Sequence, residues 1–318
     1  KEELFHNKTD AENLALQYFH PLWFVDYMIL MLGRDEALQL MKANNESKQV
    51  WLRINKLKEK RPVPEIIQDL ARAGVVVDLD VDFPDVLKVI KTRKSPVTTQ
   101  LYRSKHIFAQ DKTSSAIGHI LDPHPHEIIV DLACAYGLKF VHIATLMKKT
   151  GCIIGLDISS YRIRKMHRSF KRMLGKNTHL ICADSRYLPL KKHIADRILL
   201  DAPCSSSGIY HMYPDHKWRD RSIVDRFSRL QKELFLSSLD MLKSNGIGLY
   251  SVCSLFYEEG EQIVIDNLTQ IQPIPINYGS PAYSISPEGE KIDLPFCRRT
   301  FPHREHTGGF FISKFTVL

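Results

Sequence analysis

The chain has 318 residues, of which 44% are hydrophobic and 25% are charged, and its formal net charge is +8. No stretch of about 18 apolar residues occurs and no two of the six cysteines form a CxxC pair, so the sequence predicts neither a membrane span nor a zinc ribbon or disulfide framework. The net charge favours a polyanionic partner such as nucleic acid, while the scattered cysteines and the absence of a signal-peptide pattern in residues 1–10 favour the reducing cytoplasm.

Residues 1–105 predict a small N-terminal α+β domain. The apolar periodicity of residues 10–44 indicates two amphipathic helices. A strand over 49–57, a short helix over 62–74 framed by prolines and a glycine, and a strand over 75–81 follow. Strand, helix and strand after a helical opening are typical of an α+β domain whose sheet is like half of an RNA-recognition sheet.

Residues 106–318 predict a larger domain in which strands and helices alternate. Apolar strands are predicted over 127–133, 151–157, 179–184, 195–203 and 246–254. Amphipathic helices are predicted over 139–149, 159–174, 222–243 and 257–270. This alternation is typical of an α/β fold with a doubly wound, Rossmann-like parallel sheet, whose ligands bind beyond the carboxyl ends of the strands.

Four carboxylates lie at the ends of four consecutive predicted strands, namely Asp131, Asp157, Asp184 and Asp201. A single aspartate after a strand is most often the N-cap of the next helix, but four along one rim are harder to explain structurally. Asp157 has the spacing from the first loop of a ribose-binding carboxylate, and Asp184 is a candidate for facing an adenine ring. The first loop has one glycine, Gly137, and therefore lacks the GxGxxG fingerprint of a dinucleotide site. Because a cofactor without phosphate needs less backbone approach, the loop favours S-adenosylmethionine over NAD.

Two cysteines also follow apolar strands, Cys204 in DAPCS and Cys253 in YSVCSL. A thiolate that attacks carbon 6 of a pyrimidine makes carbon 5 nucleophilic, and this chemistry also needs an acid near nitrogen 3 and a base for the proton on carbon 5. A single cysteine is more often a small buried hydrophobic residue. Two cysteines at strand ends, with Asp201 beside one of them, favour a chemical role for both, and which one is the nucleophile stays open at this point.

The sequence around both cysteines resembles the paired signatures of the RsmB/NSUN family of RNA cytosine-5 methyltransferases. These signatures are LLDAPCSSSG at 199–208 and YSVCSL at 250–255, the latter followed by EEGEQIV. The segments at 19–30, 44–58, 108–139 and 297–315 are also similar to family segments and occur in the same order. The resemblance covers nearly the whole chain, and its two-cysteine signature is specific.

The resemblance implies different roles for the two cysteines. Cys253 would be the nucleophile, and Cys204 would assist release of the methylated RNA from the covalent adduct. Asp201 would contact the target cytosine or the cofactor, and Lys139 would order the cofactor loop and belong to the catalytic set. DNA cytosine methyltransferases place their nucleophile in the Pro-Cys motif and lack the second cysteine, so Cys253 favours RNA. No metal site is predicted, and the expected cofactor-binding residues are Ala133, Cys134, Ala135, Tyr136, Gly137, Leu138, Lys139, Asp157, Arg162, Asp184 and Asp201.

The expected function is transfer of a methyl group from S-adenosylmethionine to carbon 5 of a cytosine in RNA, with tRNA favoured over rRNA. The N-terminal domain is expected to bind RNA, and neither a membrane nor an obligatory protein partner is expected. The loop 205–221 is the expected substrate surface, because it pairs Tyr210, Tyr213 and Trp218, whose rings can stack on bases, with cations that can hold phosphates. An ordinary surface loop is the alternative.

The cofactor loop departs from the family pattern CAAPGGKT at three positions, Tyr136, Leu138 and Phe140. A leucine in place of a glycine could crowd the backbone near the methionine part of the cofactor. The sequence therefore leaves a second function open, a catalytically weak or inactive RNA-binding homologue of the same fold. A DNA methyltransferase and, from charge alone, a mildly basic enzyme with a small substrate are further alternatives.

Overall fold

The computed structural model describes residues 8–46, 49–171 and 173–318. Residues 1–7, in which the sequence predicts no signal peptide, lie outside the described residues. Residues 47, 48 and 172 also lie outside them, and they belong to the segment 44–58 and to the predicted helix 159–174. Within the described residues, no helix has the length and apolar character needed to cross a membrane.

Three helices open the chain where two were predicted, and they are α1 (Asp10–Tyr18), α2 (Leu22–Leu32) and α3 (Arg34–Ala43). The additional boundary lies at Gly33, whose φ of 80° ends α2 and begins α3. Helix α2 is apolar on nearly all sides, and Phe24 on it packs against Tyr210 and Phe256 of the second domain. The helical opening therefore belongs to a core that both domains share.

The small domain continues with a four-stranded sheet and two α-helices between its strands. In chain order these elements are β1 (Trp51–Ile54), α4 (Val63–Arg72), β2 (Val75–Leu79), β3 (Val86–Thr92), α5 (Gln100–Arg103) and β4 (Ile107–Ala109). Its strands pair antiparallel in the order β2-β3-β1-β4, which is the split βαβ arrangement of ferredoxin-like and RNA-recognition sheets. The sequence indicated β1, α4 and β2 and left β3 and β4 unassigned. Because β4 pairs with β1, the small sheet extends just past the predicted domain boundary at residue 105.

The second domain contains a larger sheet with helices on both sides. Its elements are α6 (Lys112–Leu121), β5 (Ile128–Asp131), α7 (Leu138–Leu146), β6 (Cys152–Asp157), α8 (Ser160–Phe170), β7 (Thr178–Cys182), β8 (Ala195–Asp201), α9 (Ser222–Leu239), β9 (Leu242–Val252), α10 (Glu261–Ile265), β10 (Ile271–Ile274), β11 (Ser280–Pro281), β12 (Arg298–Thr300), α11 (Pro302–Glu305) and β13 (Phe310–Val317). Strands β5 to β9 run parallel in the order β9-β8-β5-β6-β7, which confirms the doubly wound, Rossmann-like sheet.

One edge of this sheet is antiparallel, which the strand-and-helix pattern did not predict. Strand β13 runs antiparallel to β9, and β10 and β12 both pair with β13. The helix predicted over 257–270 is correspondingly short, because α10 ends at Ile265 and the chain re-enters the sheet at Ile271. The sheet is therefore mixed, with its parallel part carrying the strand ends of interest.

Two polar contacts fix helix α7 to the small domain. The guanidinium of Arg53 on β1 is fully buried and donates from Nη2 to the Leu138 carbonyl, 3.1 Å away. The Asp85 carboxylate lies 3.1 Å from Nε2 of His142 on α7 and 2.7 Å from Nε2 of His119 on α6. Burial and the nearby Arg53 charge lower the pKa of His142 to about 3, so its neutral imidazole donates to Asp85. The small domain therefore helps to place α7 relative to the sheet.

Candidate active site

The predicted carboxylates meet along the carboxyl edge of the parallel strands. Strands β5, β6 and β8 end on Asp131, Asp157 and Asp201, and Asp184 lies two residues beyond the end of β7. Cys253 directly follows β9. Because these strands are neighbours in one parallel sheet, their carboxyl ends form a single rim, as the sequence predicted.

The two cysteines lie side by side on this rim. Strands β8 and β9 are adjacent, with Asp201 opposite Ser251, and the sulfur atoms of Cys204 and Cys253 are 3.2 Å apart although the residues are 49 positions apart in sequence. Cys204 is buried and Cys253 is partly exposed. The hydrogen bond with Cys253 and burial hold the pKa of the Cys204 thiol well above its usual range. The pair thus consists of one accessible sulfur and one buried, neutral thiol that can donate a hydrogen bond to it.

Lys139 and Asp201 form a second pair at the same edge. Lys139, on the first turn of α7, donates to Asp201 Oδ2 over 2.6 Å, and the Ser251 hydroxyl donates to Asp201 Oδ1 over 2.8 Å. Burial acts to lower the pKa of Lys139, but the charge and hydrogen bond of Asp201, together with Cys253 and Asp131, outweigh it, and the pKa lies above its ordinary value. The Lys139 ammonium is therefore charged, and it fixes the Asp201 carboxylate directly instead of acting on the cofactor loop alone.

With the Asp131 carboxyl, the site has more carboxyl groups than positively charged side chains. It is almost fully buried, and the bond that it accepts is a long one from the Ala133 amide, 3.3 Å. Burial and the Asp201 carboxylate raise the pKa of Asp131 to about 8, even though Lys139 acts in the opposite direction. One ammonium thus serves two neighbouring carboxyl groups, and the imbalance favours a ligand that brings positive charge.

The backbone of the cofactor loop is held by Asp157. Its Oδ2 accepts from the Ala135 amide over 3.2 Å, and its Oδ1 lies 3.0 Å from Nη2 of Arg162. Ala135 and Gly137 both have positive φ, 40° and 88°. A Cβ atom at Gly137 would lie 2.7 Å from Cγ of Met166. Because of this contact and the positive φ, the position accepts only glycine. Asp157 and Arg162 are therefore placed to order the loop that was predicted to contact the cofactor.

The three unusual side chains of this loop point in different directions. Phe140 is fully buried, and Leu138 is half-buried and packs against the same core cluster. The Cys134 side chain is also buried in this cluster. Tyr136 is 56% exposed, with the Lys165 ammonium 5.1 Å from its ring centroid. The core accommodates Leu138 and Phe140, and the exposed departure from the family pattern is Tyr136.

The rim fits S-adenosylmethionine by the chemistry of its groups. This cofactor carries a cationic sulfonium and an ammonium, two ribose hydroxyls and a flat adenine ring. The carboxyl groups of Asp131 and Asp201, which share one ammonium, suit the positive charges of the cofactor. The Asp157 carboxylate retains lone pairs that can accept hydrogen bonds from the ribose hydroxyls. Ile158, directly after β6, and Tyr187, five residues after β7, are 63% and 76% exposed and offer apolar surface for a ring. Asp184, the predicted adenine contact, is held by Arg186, whose hydrogen bonds lower the pKa of Asp184.

The predicted substrate loop 205–221 needs a correction. Tyr210 is 2% exposed, because α2 covers it and Phe24 packs against its ring at a centroid distance of 5.3 Å. The prediction that Tyr210 stacks on a base is therefore wrong. Tyr213 and Trp218 are 47% and 64% exposed and remain available. Lys217, one of the predicted cations, is buried and hydrogen-bonded to Asn45, and burial lowers its pKa to about 8.

Sequence reasoning missed a buried polar cluster behind the cysteines. Glu259 is fully buried and accepts hydrogen bonds from Ser205 and Ser254, the residues that directly follow Cys204 and Cys253. The sequence carried one signal for it, since both cysteine motifs continue with serine. Glu259 lies within the EEGEQIV segment of the family resemblance, but no local pattern indicated its contact with Ser205, which spans 54 positions.

The chain is similar to two described protein families and to solved structures. Residues 118–316 match the family described as 16S rRNA methyltransferase RsmB/F, and residues 20–95 match a domain described as RsmF/B-like and ferredoxin-like. The crystal structure of a methyltransferase homologue from Pyrococcus horikoshii superposes with a TM-score of 0.86 at 28% identity, covering 98% of this chain and 100% of that one.

Two curated relatives carry names of RNA-modifying enzymes. A human protein named 28S rRNA (cytosine(4447)-C(5))-methyltransferase is 30% identical over 315 residues, which are 96% of this chain and 38% of the relative. A Pyrococcus horikoshii protein named tRNA (cytosine(72)-C(5))-methyltransferase is 32% identical over 228 residues, which are 70% of this chain and 55% of the relative. The chain thus spans less than two thirds of the length of either relative.

Proposed function

The chain belongs to the 16S rRNA methyltransferase RsmB/F family, and from this premise we propose that it is an S-adenosylmethionine-dependent RNA cytosine-5 methyltransferase. The observation that carries the proposal is the pair of thiols 3.2 Å apart at the ends of β8 and β9, beside the Lys139–Asp201 pair. A single pyrimidine ring on this rim can contact both sulfurs and the carboxylate. When bound, S-adenosylmethionine supplies the electrophilic methyl group.

Three residues of the chain act on the cytosine, each with its own role. Cys253, the more exposed of the two sulfurs, attacks carbon 6 as a thiolate, and its S–C bond makes carbon 5 nucleophilic. Asp201, held by Lys139 and Ser251, interacts with the ring at nitrogen 3. After methylation a base takes the proton from carbon 5, the electron pair re-forms the ring double bond, and the S–C6 bond breaks. The neutral Cys204 thiol donates a hydrogen bond to the departing sulfur and so promotes its release.

The proposed partner is RNA, and the target base must leave its stack to reach the rim. The exposed rings of Tyr213 and Trp218 are suited to stacking on bases next to the target. We assign RNA binding to the N-terminal part of the chain, residues 1–105 with the strand that completes its sheet. Relatives named for a tRNA cytosine and for a 28S rRNA cytosine make both RNAs substrates to test, and tRNA is the first choice.

The competing proposal is an RNA-binding homologue without methyl transfer, and it rests on the altered loop at Tyr136 and Leu138. The core packing of Leu138 and the presence of both thiols and the Lys139–Asp201 pair favour the active enzyme. Calorimetry with S-adenosylmethionine distinguishes the two. An absence of binding at saturating concentrations would favour the inactive homologue.

The activity test uses the purified chain, S-adenosylmethionine with a labelled methyl group, and tRNA, rRNA and matched DNA oligonucleotides. We expect label in 5-methylcytidine of RNA and none in DNA, with nuclease digestion and mass spectrometry as the measurement. Cys253→Ala should abolish the product. Methylation of DNA alone, or full activity of Cys253→Ala, would contradict the proposal.

A further inference from the structure

Both cysteine motifs continue with a serine, and the two serines meet in one buried cluster. Ser205 and Ser254 are 2% and 0% exposed, and their hydroxyl oxygens are 3.2 Å apart. Neither hydroxyl can reach a substrate from this position. The two buried serines next to the two thiols therefore have a structural role.

Glu259 is the common acceptor of this cluster. Its Oε1 accepts from the Ser205 amide over 2.8 Å and from Gln231 Nε2 over 3.1 Å. Its Oε2 accepts from the hydroxyls of both Ser205 and Ser254. Burial raises the pKa of Glu259, and the serine hydrogen bonds oppose this shift. One carboxylate thus ties together the residues that follow the two thiols.

Further bonds tie the same two loops to each other. The Ser207 hydroxyl accepts from the Leu255 amide over 2.8 Å, and the Gly208 amide donates to the Cys253 carbonyl over 3.1 Å. Without an acceptor at position 259, however, the Ser205 amide would be a buried donor lacking its partner, which proteins avoid. The two serine hydroxyls would keep only the contacts of 3.2 to 3.3 Å with each other and with Ser207. The loops would rearrange to satisfy them, and the thiols would move with the loops.

We propose that Glu259 is a positioning residue for the reaction, which sets the separation of the Cys204 and Cys253 sulfurs by binding Ser205 and Ser254. The inference rests on the proposed function for its catalytic meaning, because attack by one thiol and release by the other require both at one ring. The separation of the two sulfurs is a property of the protein alone, with or without RNA.

The first test measures thiol separation without any RNA. Diamide takes one hydrogen from each thiol, is itself reduced to the hydrazine, and leaves one S–S bond between Cys204 and Cys253. Peptide mapping of the folded protein follows the formation of this bond with time. We expect rapid closure in the wild type, slower closure in Glu259→Ala, and near wild-type closure in Glu259→Gln, whose amide can accept from the Ser205 amide and donate to the hydroxyls.

The matched control is Glu127→Ala. It also removes a carboxylate from a buried partner, Arg197, but at the amino edge of the same sheet. Equal slowing in Glu127→Ala and Glu259→Ala would overturn the proposal, since general loss of stability would explain both. Closure at the wild-type rate in Glu259→Ala would overturn it as well.

The second test measures methylation. A misplacement of about 1 Å can cost about 10²-fold in rate, so we expect the kcat of Glu259→Ala to fall by about that factor with the KM for RNA unchanged. Recovery in Glu259→Gln is expected, and equal loss in that variant would overturn the proposal, because negative charge would then matter instead of hydrogen-bond geometry. If the wild type methylates no RNA, the proposed function fails while the diamide test still decides the positioning role. Should Glu259→Ala not fold, Ser205→Ala and Ser254→Ala carry the same two measurements.

Discussion

Replacing Cys204 by alanine separates release from attack, because only one of the two sulfurs is removed. The Cys204 thiol lies 3.2 Å from the Cys253 sulfur, within reach of the same ring carbons. Acid or base assistance by a positioned side chain is worth about 10²–10⁴-fold in rate, so release of Cys204→Ala should slow by this factor while attack by Cys253 continues. The lost burial amounts to about 0.8 kcal/mol for a group of this size, which leaves the chain folded. We therefore expect a covalent protein–RNA adduct to accumulate in the presence of S-adenosylmethionine.

A denaturing gel with labelled RNA and mass spectrometry of the shifted band measure the adduct. Cys253→Ala should give neither adduct nor product. Cys297→Ala, which removes another buried thiol next to β12, two strands from β9, should behave like the wild type. If Cys204→Ala turns over normally and Cys253→Ala traps the adduct, the two roles are reversed and the reasoning from exposure is refuted.

Three further predictions concern the rim. Lys139→Met leaves Asp201 without its ammonium, and breaking a largely buried pair should cost up to about 3 kcal/mol, seen as a lower thermal midpoint that the surface change Lys148→Met does not produce. Because the pKa of Asp131 is raised from 3.8 to about 8 in the folded chain, its contribution to stability is present below 3.8 and lost as pH rises to about 8. Asp131→Asn should flatten this decline in denaturant titrations, and an unchanged slope would contradict the assignment. Leu138→Gly should cost about 1 kcal/mol in helix propensity and about 1 kcal/mol in lost burial without improving S-adenosylmethionine binding in calorimetry; a gain in affinity would show that the leucine crowds the cofactor.

The sequence determined the local architecture of the catalytic domain. All five predicted strands of the parallel sheet formed, and so did the helices predicted over 139–149, 159–174 and 222–243, whereas the segment 257–270 holds only the short α10. The placement of Asp131, Asp157 and Asp201 at strand ends therefore followed from hydrophobic patterning alone. The positions of Cys204 and Cys253 just beyond two strands followed in the same way. Such inferences succeed because burial and backbone pairing act within a few neighbouring residues.

Tertiary structure decided which of these ends meet. The neighbouring positions of β8 and β9, and with them the 3.2 Å between the two sulfurs, depend on pairing between strands that are far apart in the chain. The same holds for Tyr210, an aromatic residue in a polar loop that becomes core because α2, nearly two hundred positions earlier, covers it. It also holds for Glu259, whose partner Ser205 belongs to another loop. Contacts of this kind follow from the packing of whole elements, in which one apolar surface can be buried against any other, and no local pattern specifies the partner.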